Sequence, residues 1–347
     1  MTASEFIVID FGVAWTKAFH LATDVDLNTP QLVIKSRAIV PTSVPDLEVS
    51  YKELLNSFPQ AKKAKVILTS SFCKKEAIET FSSNTFIDND EVYKTLHTFF
   101  GQSSFDVMFL DGGASNFLQT FEPTKVSSLT TDAVTEIEIE NYLGNKRRFL
   151  FALPTQKDDQ DIELAFLKNY LLTRGLVQGE KSTLVIASGG LLSHSKNTKL
   201  VLELLCDRLT LPFCQVLLDT TGVLPCFGAL MCTQMGKKDI LQVPSLISLM
   251  SLVNLGGPAT VSFDFGFSEI QKVHVGIDEL VVLPAERDKE VIVRGIGKQE
   301  LKTYLTAGLA GVVVDGRVKP LDLVPKSDLS KEKIKKWREA LSIGGAL

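Results

Sequence analysis

The first apolar run, Phe6 to Ile9, ends in a carboxylate, Asp10, and is followed by Gly12, Trp15 and Lys17. A run of that length bounded by a glycine turn predicts a buried strand, and "TKAFHLA" and "QLVIKSRAIV" predict two further extended segments. Ser50 and Glu53 stand in the S-x-x-E relation of a capping box, which predicts a short helix through Leu55. "AKVILTS" then predicts a buried parallel strand, because its apolar residues run on without alternation, and "KKEAIETF" a helix after it.

The pattern restarts in "DVMFLDGGASNFLQTFEP": an apolar strand ending in Asp111, a glycine turn, and a second strand expected to begin near Asn116. There follow "RRFLFALP" and an amphipathic helix "DIELAFLKNYLLTRG", with Ile162, Phe166 and Tyr170 on one face and Gly175 as its C′ stop. Next come the strand "STLVIASGGLL", a helix near "NTKLVLELLCDRL" with Asn197 as N-cap, the strand "CQVLLD" and a glycine-started helix "GVLPCFGALMCTQ". A weak duplication of strand, strand, strand, helix, strand, helix organises these segments. Beyond Ile240 the runs "ATVSFDFG", "IQKVHVG", "ELVVLPA", "KEVIVRG", "LKTYLT" and "GVVVDG" are short, valine-rich and punctuated by glycine or proline, the rhythm of a small all-β sandwich or barrel. In the closing "DLSKEKIKKWREAL", Leu329, Ile334, Trp337 and Leu341 form one apolar helix face, with Trp337 as a packing anchor.

Composition narrows the class of partner. A chain of 347 residues has room for two or three domains, and its net charge of -4 gives no electrostatic reason to expect nucleic acid or an anionic membrane. The longest apolar run, from Ile240, is interrupted by Gln242, Pro244 and serines and is shorter than the ~20 residues a spanning helix needs. Glu5 and Asp10 interrupt what would be the apolar core of a signal peptide. The five cysteines (Cys73, Cys206, Cys214, Cys226, Cys232) form no C-x-x-C pair and suit core positions in a reducing cytosol; the four histidines are far apart, and no protein-ligated metal is expected. A cytoplasmic location follows as the expectation.

One D-x-G turn carries little information, because Asp and Gly are the commonest turn formers and a plain hairpin accounts for "IDFGVAW". Three features in order carry more: the turn at Asp10 and Gly12, the turn at Asp111 and Gly113, and the strand ending in Ser188, Gly189 and Gly190. Glycine turns let backbone N–H groups close on phosphate oxygens, and two facing turns can hold both ends of a polyphosphate. Strand-terminal aspartates can hold Mg²⁺ through its waters, and a Gly-Gly pair lets a planar base lie against the backbone.

These residues resemble a known family. "IDFGVAWTKAF", "LDGGASNFLQT" and "LVIASGGLLSH" are similar to the phosphate-1, phosphate-2 and adenosine motifs of the actin-like ATPase superfamily, over roughly the span of the duplication. "LDTTGVLPCFGALM" and "GLAGVVVDGRVKPLDLVP" followed by "KIKKWREAL" resemble the tail of the MutL/GlmL-type proteins associated with coenzyme-B12-dependent glutamate mutase, where Asp315, Gly316, Arg317, Val318, Lys319, Pro320 and Leu321 stand in the place of a D-x-R-G-R-P-L sequence. The resemblance implies an α/β fold of duplicated RNase H-like (actin-like ATPase) domains, residues 1–104 and 105–238, with a β-rich C-terminal domain and terminal helix over 239–347. It implies ATP or ADP with Mg²⁺ as cofactors. Nucleotide would meet Gly12, Thr16, Lys17, Gly112, Gly113, Ala114, Ser115, Asn116, Ser188, Gly189 and Gly190, with Asp10 and Asp111 as catalytic and water-mediated metal residues and Glu76 as a weaker catalytic candidate.

The chain departs from the family pattern at Val13, Ala14 and Trp15, where small hydroxyl residues are usual, and at Asn116, where the family often carries an acid. Bulk at Trp15 narrows the space for a terminal phosphate. The function implied is an ATP-dependent reactivating or assembly factor for a partner enzyme of the cobalamin-dependent mutase type, with weak ATPase activity and with the exposed charges around Arg317 and Lys319 meeting the partner. The alternatives are an actin-like scaffold or filament former whose nucleotide site does not hydrolyse, and a small-molecule kinase on the same fold. Sedimentation with and without Mg-ATP separates a filament from a discrete complex.

Overall fold

The computed structural model describes residues 4–24, 31–43, 46–101, 106–118, 121–130, 134–173, 182–193, 198–233, 243, 245–266, 269–318 and 328–342. The chain divides into two compact units. One comprises Met1–Gln102, Arg148–Ala152 and Asp219–Leu246, the other Ser103–Arg147, Leu153–Leu218 and Ile247–Leu347. It is an α/β protein with mixed sheets.

The first unit opens with β1 (Glu5–Phe11), β2 (Trp15–Asp24), β3 (Gln31–Pro41), α1 (Leu47–Asn56), β4 (Lys65–Ser70), α2 (Lys75–Glu79), β5 (Thr85–Asp88) and α3 (Asn89–Phe100). The strands lie in the order β3-β2-β1-β4-β5, antiparallel across β1–β2 and β2–β3 and parallel across β1–β4 and β4–β5. The strand, strand, strand, helix, strand, helix succession read from the sequence is present here. Alternation along β1 sends Ile7, Ile9 and Phe11 into a core with Leu47, Tyr51 and Leu54 of α1, and so turns Val8 and Asp10 to the opposite face. Ser50 does not cap α1: the N-cap is Asp46, and Ser50 Oγ, inside the helix, accepts from Ser43 N–H and donates to Pro41 O. Buried, Ser50 ties the helix to the end of β3 instead.

The second unit begins with β6 (Asp106–Asp111), a 3-10 helix (Ala114–Leu118), α4 (Pro123–Ser127), α5 (Glu136–Arg148), α6 (Lys157–Thr173), β7 (Thr183–Ser188), α7 (Gly190–Ser193), α8 (Thr198–Arg208) and β8 (Phe213–Asp219). The hairpin expected after Asp111 is absent. Phe117 is buried and stacked on Phe166 of α6 at 4.9 Å between centroids, with Lys146 of α5 over its other neighbourhood, so the chain tucks inward as a helical turn. The arginines of "RRFLFALP" end α5, and residues 149–154 are irregular. Gly175 and Asn197 lie outside the described residues.

After β8 the chain passes to α9 (Leu224–Cys232), which packs in the first unit on α3, β1 and β4. It continues as β9 (Leu246–Asn254), β10 (Ala259–Asp264), β11 (Gln271–Val275), β12 (Leu280–Leu283), β13 (Glu290–Ile296), β14 (Gln299–Thr306), β15 (Val312–Asp315) and α10 (Asp328–Ala340). Every valine-rich run of the tail is thus a strand. The strands divide between a four-stranded antiparallel sheet, β11-β10-β13-β14, and a six-stranded sheet, β12-β15-β9-β8-β7-β6, in which the tail strands continue from β8. Val313 lies in the core shared with α8 and α10, and Val312 and Val314 in the core shared with β10 and β13, as in a strand covered on both faces. The apolar segment from Ile247 is the buried strand β9. In α10, Ile334, Trp337 and Leu341 are buried as expected, while the side chain of Leu329 lies outside the described set. Among the described residues no helix is long and apolar enough to cross a membrane.

Candidate functional site

In the first unit, β1 and β2 form a tight hairpin. Gly12 N–H donates to Trp15 O at 3.2 Å, Thr42 Oγ1 donates to Gly12 O at 2.6 Å, and Thr42 Oγ1 stands 3.0 Å from Thr16 Oγ1. Gly12 and Thr16 are therefore occupied in building the turn. The N–H groups of Val13 and Ala14, at its apex, donate to no acceptor among the described residues. Asp10 is not a solvated turn residue, being 5% exposed. It pairs in register with Lys17 on one side and Thr69 on the other, which brings those three polar side chains to the face of the sheet that α9 covers. Thr69 is fully buried, and its Oγ1 has no hydrogen-bond partner among the described residues. Ser70 Oγ ties the strand ends together by donating to Phe11 O at 2.9 Å.

In the second unit the turns after β6 and β7 are knitted together at the carboxyl ends of two adjacent parallel strands, where Asp111 pairs with Ser188. Gly112 N–H donates to Ser188 O at 2.8 Å and Leu191 N–H to Gly112 O at 3.1 Å. Gly189 has φ +96, and a Cβ there would lie 2.5 Å from Gly113 N and 2.5 Å from Asp111 Oδ1, so only glycine permits the approach. The N–H groups of Gly113 and Gly190 donate to no acceptor among the described residues, and a Cβ at Gly190 would meet nothing within 4 Å. Asp111 is exposed. Asn116, which replaces the acid of the family pattern, is buried and donates from Nδ2 to Asp111 O at 3.3 Å. Ala114 and Ser115 open the 3-10 helix, partly exposed.

A third element went unweighted in the sequence: Asp219, which ends β8 as Asp10 ends β1. Fully buried, it accepts from the N–H groups of Thr221, Gly222 and Val223 on Oδ1 and of Leu224 on Oδ2, at 2.8–3.2 Å. A carboxylate taking that many backbone donors fixes the loop and caps α9. Its signal was the recurrence of an apolar run ending in aspartate before a glycine.

These elements suit phosphate by their chemistry. Unpaired backbone N–H groups at glycine-rich turns are anion donors, and the carboxyl ends of parallel strands are where α/β sheets take ligands. For a divalent cation the fit is narrower. No group of three or more His, Cys, Asp or Glu side chains among the described residues could hold a metal ion alone, so Mg²⁺ would rest on phosphate oxygens, water and a carboxylate such as Asp10 or Asp111. Burial and then the Asp10 charge push the Cys226 thiol well up, and burial raises the Cys73 thiol, which disfavours the thiolate at both.

Two expected residues stand elsewhere. Glu76 lies exposed in the first turn of α2. Arg317 is not an exposed contact residue but 1% exposed: its side chain is bidentate to Asp315 at 2.8 and 2.7 Å, reaches Asp207 at 2.7 Å, and lies 4.7 Å from the Trp337 ring centre. Lys319 lies outside the described residues.

No protein-family model and no curated protein sequence matches the chain. Among solved structures it is similar to the activator of 2-hydroxyisocaproyl-CoA dehydratase from Clostridium difficile with bound ADPNP, at 13% identity and TM-score 0.36 over 65% of this chain and 93% of that one. Component A of (R)-2-hydroxyglutaryl-CoA dehydratase from Acidaminococcus fermentans matches at 12% identity and TM-score 0.34, over 66% and 96%. The Aquifex aeolicus PPX-GPPA enzyme matches at 14% identity and TM-score 0.28, over 55% and 70%. Likeness this distant leaves function to this chain's own residues.

Proposed function

We propose that the chain is an actin-like protein that binds Mg-ATP or Mg-ADP, taking phosphates on the backbone N–H groups of its glycine turns. The observation that carries this reading is the contact of the Asp111–Gly113 turn with the Ser188–Gly190 turn. The positive-φ Gly189 presses the two glycine loops together where no side chain would fit, and among the described residues the N–H of Gly113 and the helix-start N–H of Gly190 are left without an acceptor, as donors an anion can take. The Val13–Ala14 apex supports the reading with a second pair of unpaired donors beside a buried aspartate. Asp10 and Asp111 are the carboxylates offered to the cation, and Lys17 the cation offered to phosphate.

The output of binding is a changed affinity for a partner enzyme, of the mutase type that the tail resembles. A surface suited to a protein partner follows the first turn directly: Trp15 meets Phe151 edge-on, Phe151 meets Phe149, and the two phenylalanines are 40% and 53% exposed. The same aromatic surface is compatible with self-assembly, the scaffold reading. Thermal melting of the full chain with and without millimolar Mg-ATP tests nucleotide binding. A ligand at one hundred times its Kd stabilises by about 2.7 kcal/mol, and no upward shift at millimolar Mg-ATP refutes the proposal. Sedimentation of the same samples separates a discrete species from a filament.

A further inference from the structure

The loop after β8 and the lysine of the first hairpin meet in a contact that neither turn chemistry nor helix capping requires. Asp219 draws in the N–H groups of Thr221, Gly222, Val223 and Leu224, and the loop so formed holds Gly222 at φ +70. With Gly222 in that conformation, its Cα face is turned to Lys17: a Cβ added there would lie 2.7 Å from Lys17 Nζ, 3.4 Å from Cε and 3.5 Å from Cδ. The end of the lysine chain thus lies along the glycine, in the space that a side chain at 222 would take. Lys17 belongs to β2 and pairs in register with Asp10, so the loop holds the lysine on the same face as the buried aspartate, next to the Val13–Ala14 apex. Cys226 of α9 donates from Sγ to Val8 O at 3.6 Å, so the helix that follows the Asp219 loop packs on the strand that carries Asp10.

We propose that the Asp219–Gly222 loop is a positioning element for Lys17, aiming its ammonium at the anion that the first hairpin binds. This rests on the nucleotide reading for the identity of that anion, and goes beyond it in assigning a role to Asp219 and to Gly222, whose N–H is taken by that carboxylate. The physical basis is the cost of freedom. A lysine side chain loses about as much rotamer entropy as any residue on being fixed. A lysine that lies along a backbone held by Asp219 has fewer rotamers open to it before ligand arrives, so its hydrogen bond to an anion is worth more on binding.

The test compares the full chain with Gly222→Ala, Lys17→Met and the double variant in two measurements. In the first, lysines are acetylated briefly with acetic anhydride and each site is read by peptide mass spectrometry. The added methyl group must push Lys17 aside, so labelling of Lys17 is expected to change several-fold in Gly222→Ala while the other lysines keep their rates; an unchanged Lys17 rate overturns the proposal. In the second, Mg-ATP affinity is measured by calorimetry. Lys17→Met is expected to weaken binding about tenfold or more, the loss of one charge-assisted hydrogen bond. Gly222→Ala should reproduce most of that loss, and the double variant should be no weaker than Lys17→Met alone. Losses that simply add, or full affinity in Gly222→Ala, overturn the positioning role. A wild-type chain that binds no Mg-ATP while its Lys17 labelling still responds to Gly222→Ala refutes the nucleotide reading instead, and leaves the loop as the element that holds Lys17.

Discussion

Replacing Arg317 by methionine separates a buried structural cation from the exposed contact residue that its sequence context suggested. Its guanidinium donates to both oxygens of Asp315 and to Asp207, all three residues being at most 1% exposed, and it covers the ring of Trp337. Burial pulls the guanidinium toward neutrality, but the Asp207 and Asp315 carboxylates outweigh it and hold the charge more firmly than in water. Methionine fills much of the volume but takes the guanidinium away from both buried carboxylates, Asp315 and Asp207, of which Asp207 also meets Lys168. Removing one partner of such a pair costs about 3–5 kcal/mol. At about 2–4 °C per kcal/mol for a unit of this size, the second unit should melt roughly 10 °C lower. An exposed arginine would change stability by no more than about 0.5 kcal/mol. Scanning calorimetry of the full chain, with near-UV circular dichroism to follow Trp337, reads the difference. A melting point within about 2 °C of wild type would refute the buried-network account.

Asp10→Asn keeps the shape of the hairpin but removes the charge offered to the cation; it should melt near wild type and lose Mg-dependent nucleotide binding, and equal affinity with and without the charge would return Asp10 to a plain turn role. Thr135 and Glu138 form a reciprocal cap on α5, and the hydrogen bonds from Thr135 N–H and Oγ1 hold the Glu138 carboxyl below its usual range. The sign follows: this contribution is complete above the free-glutamate value of about 4.3 and is lost as pH falls through the lower folded value, so Thr135→Ala should destabilise at neutral pH and lose part of the acid dependence seen in urea titrations. A chain ending at Gly236 loses β9, β12 and β15 from the middle and edge of the six-stranded sheet, and should aggregate; a monodisperse product by light scattering would show that β6–β8 fold without them.

Much of this molecule was legible because the apolar pattern and the burial agree. "FIVID", "AKVILTS" and the valine runs of the tail are strands whose apolar residues reach a core, even at a sheet edge, as β11 does through Val275 and β12 through Leu280 and Leu283; α10 buries Ile334 and Trp337 of its expected apolar face, with Leu341 just beyond its end. The failures have a shared cause. "ASNFLQ" was expected to mirror the first hairpin because it follows an aspartate and a glycine, as the first does, but local turn chemistry does not say where a side chain will find its core. Phe117 finds Phe166 on α6, which lies far along the chain, and that contact converts a second strand into a helical turn.

Arg317 shows the same limit for charge. A basic residue among lysines and glycines near a chain end reads as solvated, and nothing local reveals that Asp207, from α8, closes over it. Asp219 carries the converse lesson. It was written in the same apolar-run-then-aspartate pattern as Asp10 and Asp111, yet the three carboxylates have different work: Asp10 is buried beside a lysine, Asp111 is exposed at a glycine turn, and Asp219 is consumed by four backbone N–H groups. The pattern marks the carboxyl end of a sheet strand, where a ligand or a helix N-terminus can equally use the charge. Which of the two it meets depends on what comes next in space: a helix start for Asp219, the closely approaching glycines 113 and 189 for Asp111. That is why the order of the motifs carried more information than any one of them.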